Sequence, residues 1–140
     1  TYLLDILSTA PAKLIEITNQ NVTEFYDKVD EICNQGFNDD IFFKAEVLWR
    51  MATDFSTGIR NVGSNLMCDF LKESGFTDYA KMDVHMIRSM SEVLQFNKDD
   101  KLPDYESFAT TQWLASKLGM TPYRLDKILY VFGVYRKAFQ

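Results

Sequence analysis

The sequence has little of what a disulfide-rich, metal-binding or membrane-spanning protein needs. Its 140 residues include two cysteines, one histidine, six glycines and three prolines. A single histidine without nearby ligands does not build a metal site, and no cluster of four cysteines is present for an iron–sulfur centre. We therefore expect no metal and no cofactor, and we expect Cys33 and Cys68 to be reduced, buried thiols rather than a disulfide.

Long apolar runs are also missing. No stretch approaches the length that crosses a bilayer, and no basic-then-apolar signal peptide opens the chain. We expect an intracellular protein that has no contact with a membrane and is a monomer.

Positive charge is scarce as well. The chain has 15 lysines and arginines against 20 aspartates and glutamates, a net charge of −5. This balance excludes a protein that holds nucleic acid mainly through an overall basic surface. It leaves room for a local positive face, and we expect one where Arg50, Arg60, Lys72 and Arg88 fall in the same part of the chain.

What the sequence does have is apolar residues in a helical period. Hydrophobic residues make up 46% and aromatic residues 14%, which is typical of a packed globular protein. No segment alternates as a strand would, so we predict an all-α fold, one helical domain over residues 1–140 without a sheet domain. Two short helices are expected in the first twenty residues, the second opened by Pro11. Further helices are predicted to begin near Thr23, Asn38 or Asp39, Ser64, Asp83, Asp104 and Pro122.

A tight hairpin is predicted between two of these helices, over residues 58–63. We expect Gly63 to turn the chain with a positive φ, since a residue without Cβ adopts that conformation at low cost. A hairpin that opens a helix directs backbone N–H groups outward, where they suit an anion such as phosphate.

This region resembles a known family. Val62-Gly63-Ser64-Asn65, followed by Met82-Asp83-Val84-His85-Met86, is similar to the helix-hairpin-helix DNA glycosylases of the endonuclease III and 8-oxoguanine glycosylase superfamily. In that family a hairpin of the type Gly-Val-Gly-x-Lys precedes an Asp-x-His motif. The clear match runs from about residue 50 to 92, with the helix-hairpin-helix at about 46–75 and a softer match over 115–133 within the C-terminal helices at 104–139.

The resemblance assigns a role to each matching position. Asp83 falls on the catalytic aspartate, and Asn65, 83 − 65 = 18 residues earlier, falls on the lysine of strand-cleaving members. Because asparagine forms no Schiff base, the resemblance implies a monofunctional or lyase-deficient DNA N-glycosylase. Its implied partner is double-stranded DNA with a damaged or modified base. The implied DNA-binding residues are Arg60, Asn61, Val62, Gly63 and Ser64, and the implied base-pocket residues are Asp126 and Phe132.

Simpler interpretations stay open beside these roles. Asp83 is also a normal helix N-cap, Asn65 a normal solvent-facing polar residue, and Phe132 a normal core residue. For His85 we expect a structural, hydrogen-bonded role. The alternatives for function are a repurposed glycosylase fold that modifies DNA bases, or a non-catalytic helical module for DNA binding or protein interaction.

Overall fold

The computed structural model describes residues 2–18, 21–94 and 102–138, and these residues are all-helical. They form seven α-helices and one short 3-10 helix, with no strand among them, which confirms the all-α prediction. No helix in this part of the chain is long and apolar enough to span a membrane. The elements are α1 (Tyr2–Thr18), α2 (Val22–Cys33), the 3-10 helix (Phe37–Asp39), α3 (Ile41–Ser56), α4 (Ser64–Glu73), α5 (Val84–Val93), α6 (Asp104–Leu118) and α7 (Pro122–Ala138).

The last four helices begin at or within one residue of their predicted starts, but two earlier starts differ. Helix α2 is capped by Asn21, whose side chain accepts a hydrogen bond from the N–H of Glu24, rather than by Thr23. Helix α3 begins at Ile41 because the preceding Asp40 accepts hydrogen bonds from the first-turn N–H groups. The residues predicted to open α3, Asn38 and Asp39, instead belong to the 3-10 turn.

The prediction of two short N-terminal helices is wrong. Residues 2–18 form one helix with Pro11 inside it. Proline removes one backbone hydrogen bond from a helix interior. Ala10 comes before Pro11 and Ile17 after it, and both side chains pack against the hydrophobic core of the protein. These contacts stabilise the helix on both sides of the proline.

The hairpin between α3 and α4 also differs in detail. Positive φ is found at Gly58 (91°) and Asn61 (63°), whereas Gly63 is extended at φ −97°. The prediction that Gly63 supplies the left-handed conformation is therefore wrong. Asn61 adopts that conformation, which asparagine tolerates better than most residues do.

The core is built around α3, which packs on α4 on one side and on α6 on the other. Leu48 and Ala52 of α3 are fully buried, as are Cys68 and Leu71 of α4. Helix α5 adds Met86 and Met90. Apolar spacing predicts that Val84, Ile87, Met90 and Leu94 face inward. Met90 is buried and Ile87 packs against the core, whereas Val84 and Leu94, at the two ends of the helix, are 55% and 45% exposed.

The segment that connects α4 to α5, residues 74–83, is irregular yet runs through the interior. Its Tyr79, Ala80 and Met82 are at most 1% exposed. Backbone groups of such a segment must find partners other than water. A side chain of a neighbouring helix supplies one of them: Gln112 of α6 donates to the carbonyl of Asp78 at 2.7 Å. The carboxylate of Asp78 forms an ion pair with Lys44 of α3 at 2.9 Å.

The two cysteines are free and buried, as predicted. Burial, together with the negative charges of Asp78 and Asp30, raises the pKa of the Cys33 thiol to about 12. Burial raises the pKa of Cys68 as well. Because the thiolate is the reactive form, both side chains are chemically inert in the folded protein.

We expect both thiols to react with a disulfide reagent at pH 8 at least about a hundredfold more slowly in the native protein than in urea, since reaction requires opening of the structure. The absorbance of the released reagent follows the reaction. Single Cys33→Ser and Cys68→Ser variants show which thiol gives which kinetic phase. If Cys68 reacts as fast in the native protein as it does in urea, that result contradicts its buried position.

Candidate functional site

The two halves of the glycosylase-like motif lie next to each other. Asn65, in the first turn of α4, uses its side-chain amide to bind both backbone groups of Met82. Its Nδ2 donates to the Met82 carbonyl at 2.7 Å, and its Oδ1 accepts from the Met82 N–H at 2.6 Å. The start of α4 is thereby joined to the residue before Asp83.

Asp83 is the N-cap of α5. Its Oδ1 accepts a hydrogen bond from the N–H of Met86 at 2.9 Å, and the side chain is partly exposed. The positive end of the α5 dipole favours a carboxylate at this position. The cap interpretation is thus confirmed. The cap bond engages one carboxylate oxygen, and the side chain is not sealed in the core.

Asn65 is not the solvent-facing residue that one interpretation predicted. It is half-buried, and its amide is engaged with the Met82 backbone. A bidentate contact of this kind satisfies one donor and one acceptor that the buried connecting segment would otherwise leave unpaired. Asn65 therefore holds the segment that carries Asp83.

The hairpin residues predicted to bind DNA lie at one end of α3, against α1. Arg60 is largely exposed, with its guanidinium 4.0 Å from the Asp5 carboxylate, and its backbone N–H donates to Thr9 at 2.9 Å. Asn61 also donates to Asp5, at 3.0 Å. Ser64, at the start of α4, shares a 2.7 Å hydrogen bond with Thr53.

The expected positive face is smaller than predicted. Arg50 forms an ion pair with Glu46 at 2.7 Å, and Lys72 is buried rather than exposed. Arg60 is the cation that remains on the hairpin surface itself. Binding of a phosphate there would depend on Arg60 and on backbone N–H groups.

Asp126 and Lys72 form a buried ion pair. Oδ2 of Asp126 accepts from Lys72 Nζ at 3.1 Å and from the backbone N–H of Lys81 at 2.9 Å. Burial by itself lowers the pKa of Lys72, but the charge of Asp126 and hydrogen bonds to Asp69 and Asp126 outweigh it, so the pKa is raised. The prediction that Asp126 contacts an extruded base does not fit this arrangement, because its carboxylate is 3% exposed and holds the connecting segment.

Phe132 lies on the outside of α7 and is 66% exposed, so the alternative interpretation as a core residue is wrong, while its place in a base pocket stays a prediction. The neighbouring turn of α7 contacts the start of α5: the His85 ring meets the Tyr130 ring edge-on at 6.1 Å. His85 also lies so close to Gly133 that a Cβ there would be 2.6 Å from His85 Nδ1. Sequence reasoning missed Gly133 as a site residue, although a glycine inside a helical pattern is a signal of close packing.

Searches against protein-family models, curated proteins and solved structures find no match to this chain. Within the described ranges, no group of three or more His, Cys, Asp or Glu side chains is placed to hold a metal ion. The candidate site thus consists of the Asp83 carboxylate at the start of α5, with Asn65 of the hairpin helix on one side and His85, packed on α7, on the other.

Replacing Asn65 by alanine should lower the free energy of unfolding by about 1–3 kcal/mol, because both backbone groups of Met82 lose their partners. Chemical denaturation measures the change. Asn34→Ala, at an exposed amide beyond α2, is the matched control and should stay within about 0.5 kcal/mol of the parent protein. Equal stability of the two variants would contradict a structural role for the Asn65 amide.

Asp126→Asn should destabilise the protein by about 3 kcal/mol, since it leaves the Lys72 cation buried without its main counter-charge. The double variant Lys72→Met with Asp126→Asn should recover most of the loss, because no buried charge then stays unpaired and the asparagine oxygen can still accept from the Lys81 N–H. Urea denaturation measures the free energy of unfolding of the single and the double variant. A double variant less stable than Asp126→Asn would show that packing, rather than charge, dominates at this position.

Proposed function

We propose that the protein is a monofunctional DNA N-glycosylase that hydrolyses the bond between a flipped base and its deoxyribose, with Asp83 as the catalytic carboxylate. The observation that supports this proposal is the double hydrogen bond between Asn65 and Met82. It joins the hairpin helix, at the position where the family has its lysine, to Met82, the residue directly before Asp83.

The chemistry proposed for Asp83 follows from its position at a helix N-terminus. As the bond between C1′ and the base breaks, positive charge develops on the sugar, and a nearby carboxylate stabilises it. The same carboxylate can orient the attacking water and accept its proton. The oxygen of water then becomes bonded to C1′, the base leaves with a proton, and an abasic site remains in the strand.

Asn65 limits the proposed reaction to removal of the base. Its amide is not a nucleophilic amine, so the proposed enzyme forms no covalent intermediate and leaves the DNA strand uncleaved. The interaction of Asn65 with Met82 gives it a positioning role, because it holds the residue that precedes Asp83.

The hairpin is proposed to bind the DNA backbone through Arg60, Asn61, Val62, Gly63 and Ser64. Gly63 occupies the N-cap position of α4 and makes no side-chain cap hydrogen bond. The N–H groups of a first helical turn that lacks such a cap suit a phosphate oxygen, and the exposed Arg60 adds a positive charge beside them.

A second candidate is a hairpin module that binds duplex DNA without turnover. It is favoured by one observation, that Asp83 already serves as the N-cap of α5 and so has a structural reason to be present. The two candidates differ in whether an abasic site is produced.

Asp83→Asn tests the proposal, because asparagine caps a helix as well as aspartate does and the fold should keep its stability. We expect at least a hundredfold loss in the rate of abasic-site formation, with duplex affinity changed less than about twofold. The measurement is alkali cleavage of labelled duplexes that carry a panel of damaged or modified bases.

The matched control is Asp40→Asn, the same change at the N-cap of α3, where Asp40 accepts hydrogen bonds from Phe42 and Phe43. This variant should keep full activity. Binding of the duplexes by the unmodified protein without abasic sites on any of them would favour the second candidate, and failure to bind any duplex would exclude both.

A further inference from the structure

A strained turn lies between α2 and α3. Phe37, Asn38 and Asp39 have φ values of 49°, 52° and 59°, three successive non-glycine residues in the left-handed region. Side chains with a Cβ are disfavoured there, and such conformations persist only where the surrounding structure imposes them, often at functional surfaces. Backbone hydrogen bonds from Asp39 to Gly36 and from Asp40 to Phe37, both 2.9 Å, close this turn.

The turn brings aromatic side chains together at the start of α3. The ring of Phe37 meets that of Phe43 edge-on, with centroids 5.7 Å apart. Phe42 and Phe43 are 56% and 51% exposed, although their backbone N–H groups are fixed by Asp40. Aromatic rings that are held in place and left half in water are typical anchors of protein–protein interfaces.

Negative charge is concentrated in the part of the sequence that carries these rings. Residues 21–46 contain seven acidic side chains and two lysines, a net charge of −5, equal to that of the whole chain. All seven acidic residues are exposed, whereas one of the two lysines, Lys44, is paired with Asp78. The remainder of the chain is therefore electrically neutral, and the excess charge is confined to α2, the strained turn and the start of α3.

The end of α2 lies beside the start of α3. The Cys33 thiol, in the last turn of α2, is close enough to Asp30, Lys44 and Asp78 to be affected by their charges. Asp39 and Asp40, both exposed, lie in the turn and at its junction with α3, two residues from Phe37 and Phe42 respectively in the chain. We call Phe37, Phe42 and Phe43, together with Asp39 and Asp40, the aromatic-acidic surface.

We propose that the aromatic-acidic surface docks a basic segment of a partner protein that carries one or two large apolar side chains. The apolar side chains pack on Phe42 and Phe43, while flanking lysines or arginines face the carboxylates of Asp39 and Asp40. Charge complementarity selects this occupant, since a nucleic acid or an anionic membrane would be repelled by the same carboxylates.

This surface is separate from the hairpin. The aromatic-acidic surface lies at the start of α3 and the hairpin follows its end. The helix has 16 residues and so is roughly 24 Å long. A partner at the start of α3 leaves the hairpin after its end accessible. The inference therefore does not rest on the glycosylase proposal and can be tested without DNA.

Fluorescence anisotropy with three labelled 12-residue peptides tests the proposal: one of lysine and leucine, one with serine in place of leucine, and one with glutamate in place of lysine. We expect saturable binding of the lysine–leucine peptide, binding at least about tenfold weaker for the lysine–serine peptide, and none for the glutamate–leucine peptide. Absence of binding by the lysine–leucine peptide at 1 mM overturns the proposal. Equal binding of the lysine–serine peptide does so too, since it would reflect charge alone.

The double variant Phe42→Ser with Phe43→Ser should weaken binding of the lysine–leucine peptide at least about tenfold, with circular dichroism confirming that the helices remain. Ile128→Ser with Val131→Ser removes two exposed apolar residues of α7 and is the matched control, which should bind as the parent protein does. Equal effects of the two double variants overturn the proposal. Sedimentation that shows a parent dimer and a monomeric Phe42/Phe43 variant overturns it in favour of a second copy of the chain.

Discussion

The structure depends on how the buried connecting segment, residues 74–83, satisfies its backbone. An irregular segment in the interior has no ladder of hydrogen bonds of its own, and each unpaired polar group there is costly. Partners for this backbone come from three helices: Asn65 of α4 pairs with Met82, Gln112 of α6 donates to Asp78, and Asp126 of α7 accepts from Lys81. The hydroxyl of Tyr79, a side chain of the segment, donates in turn to the carbonyl of Leu48 in α3. These contacts fix four helices relative to one another through a segment that belongs to none of them.

The candidate site inherits its geometry from that segment. Asp83 follows directly after Lys81 and Met82, whose backbone groups are held by Asp126 and Asn65. Its carboxylate is then fixed by the cap bond to Met86, and the first turn of α5 is held against α7 by the packing of His85 on Gly133. A carboxylate supported on each side in this way is pre-organised, which is the condition that electrostatic catalysis requires. The same contacts explain why so many polar residues of this region serve the scaffold rather than face a ligand.

Helix α3 separates two surfaces of different character. At its end lies the hairpin, where Arg60 and backbone N–H groups of the first turn of α4 offer sites for an anion. At its start lie exposed phenylalanines among the acidic residues that account for the net charge of the chain. The net charge of −5 is therefore carried by residues 21–46, and the remainder of the chain has no net charge. An anionic polymer and a basic protein segment would approach opposite ends of this helix.

The sequence by itself determined the helical class, the starts of α4 to α7, the buried free thiols and the N-cap at Asp83, because these follow from local capping chemistry and from a 3.6-residue apolar period. Only the tertiary structure decided that Pro11 lies inside a helix, that Asn61 rather than Gly63 has the positive φ, and that Val84 and Phe132 face outward. It alone decided that Lys72 and Asp126 form a buried pair. The reason is physical: these outcomes depend on contacts between residues far apart in the chain, such as the 54 residues between Lys72 and Asp126, and a local pattern carries no information about them.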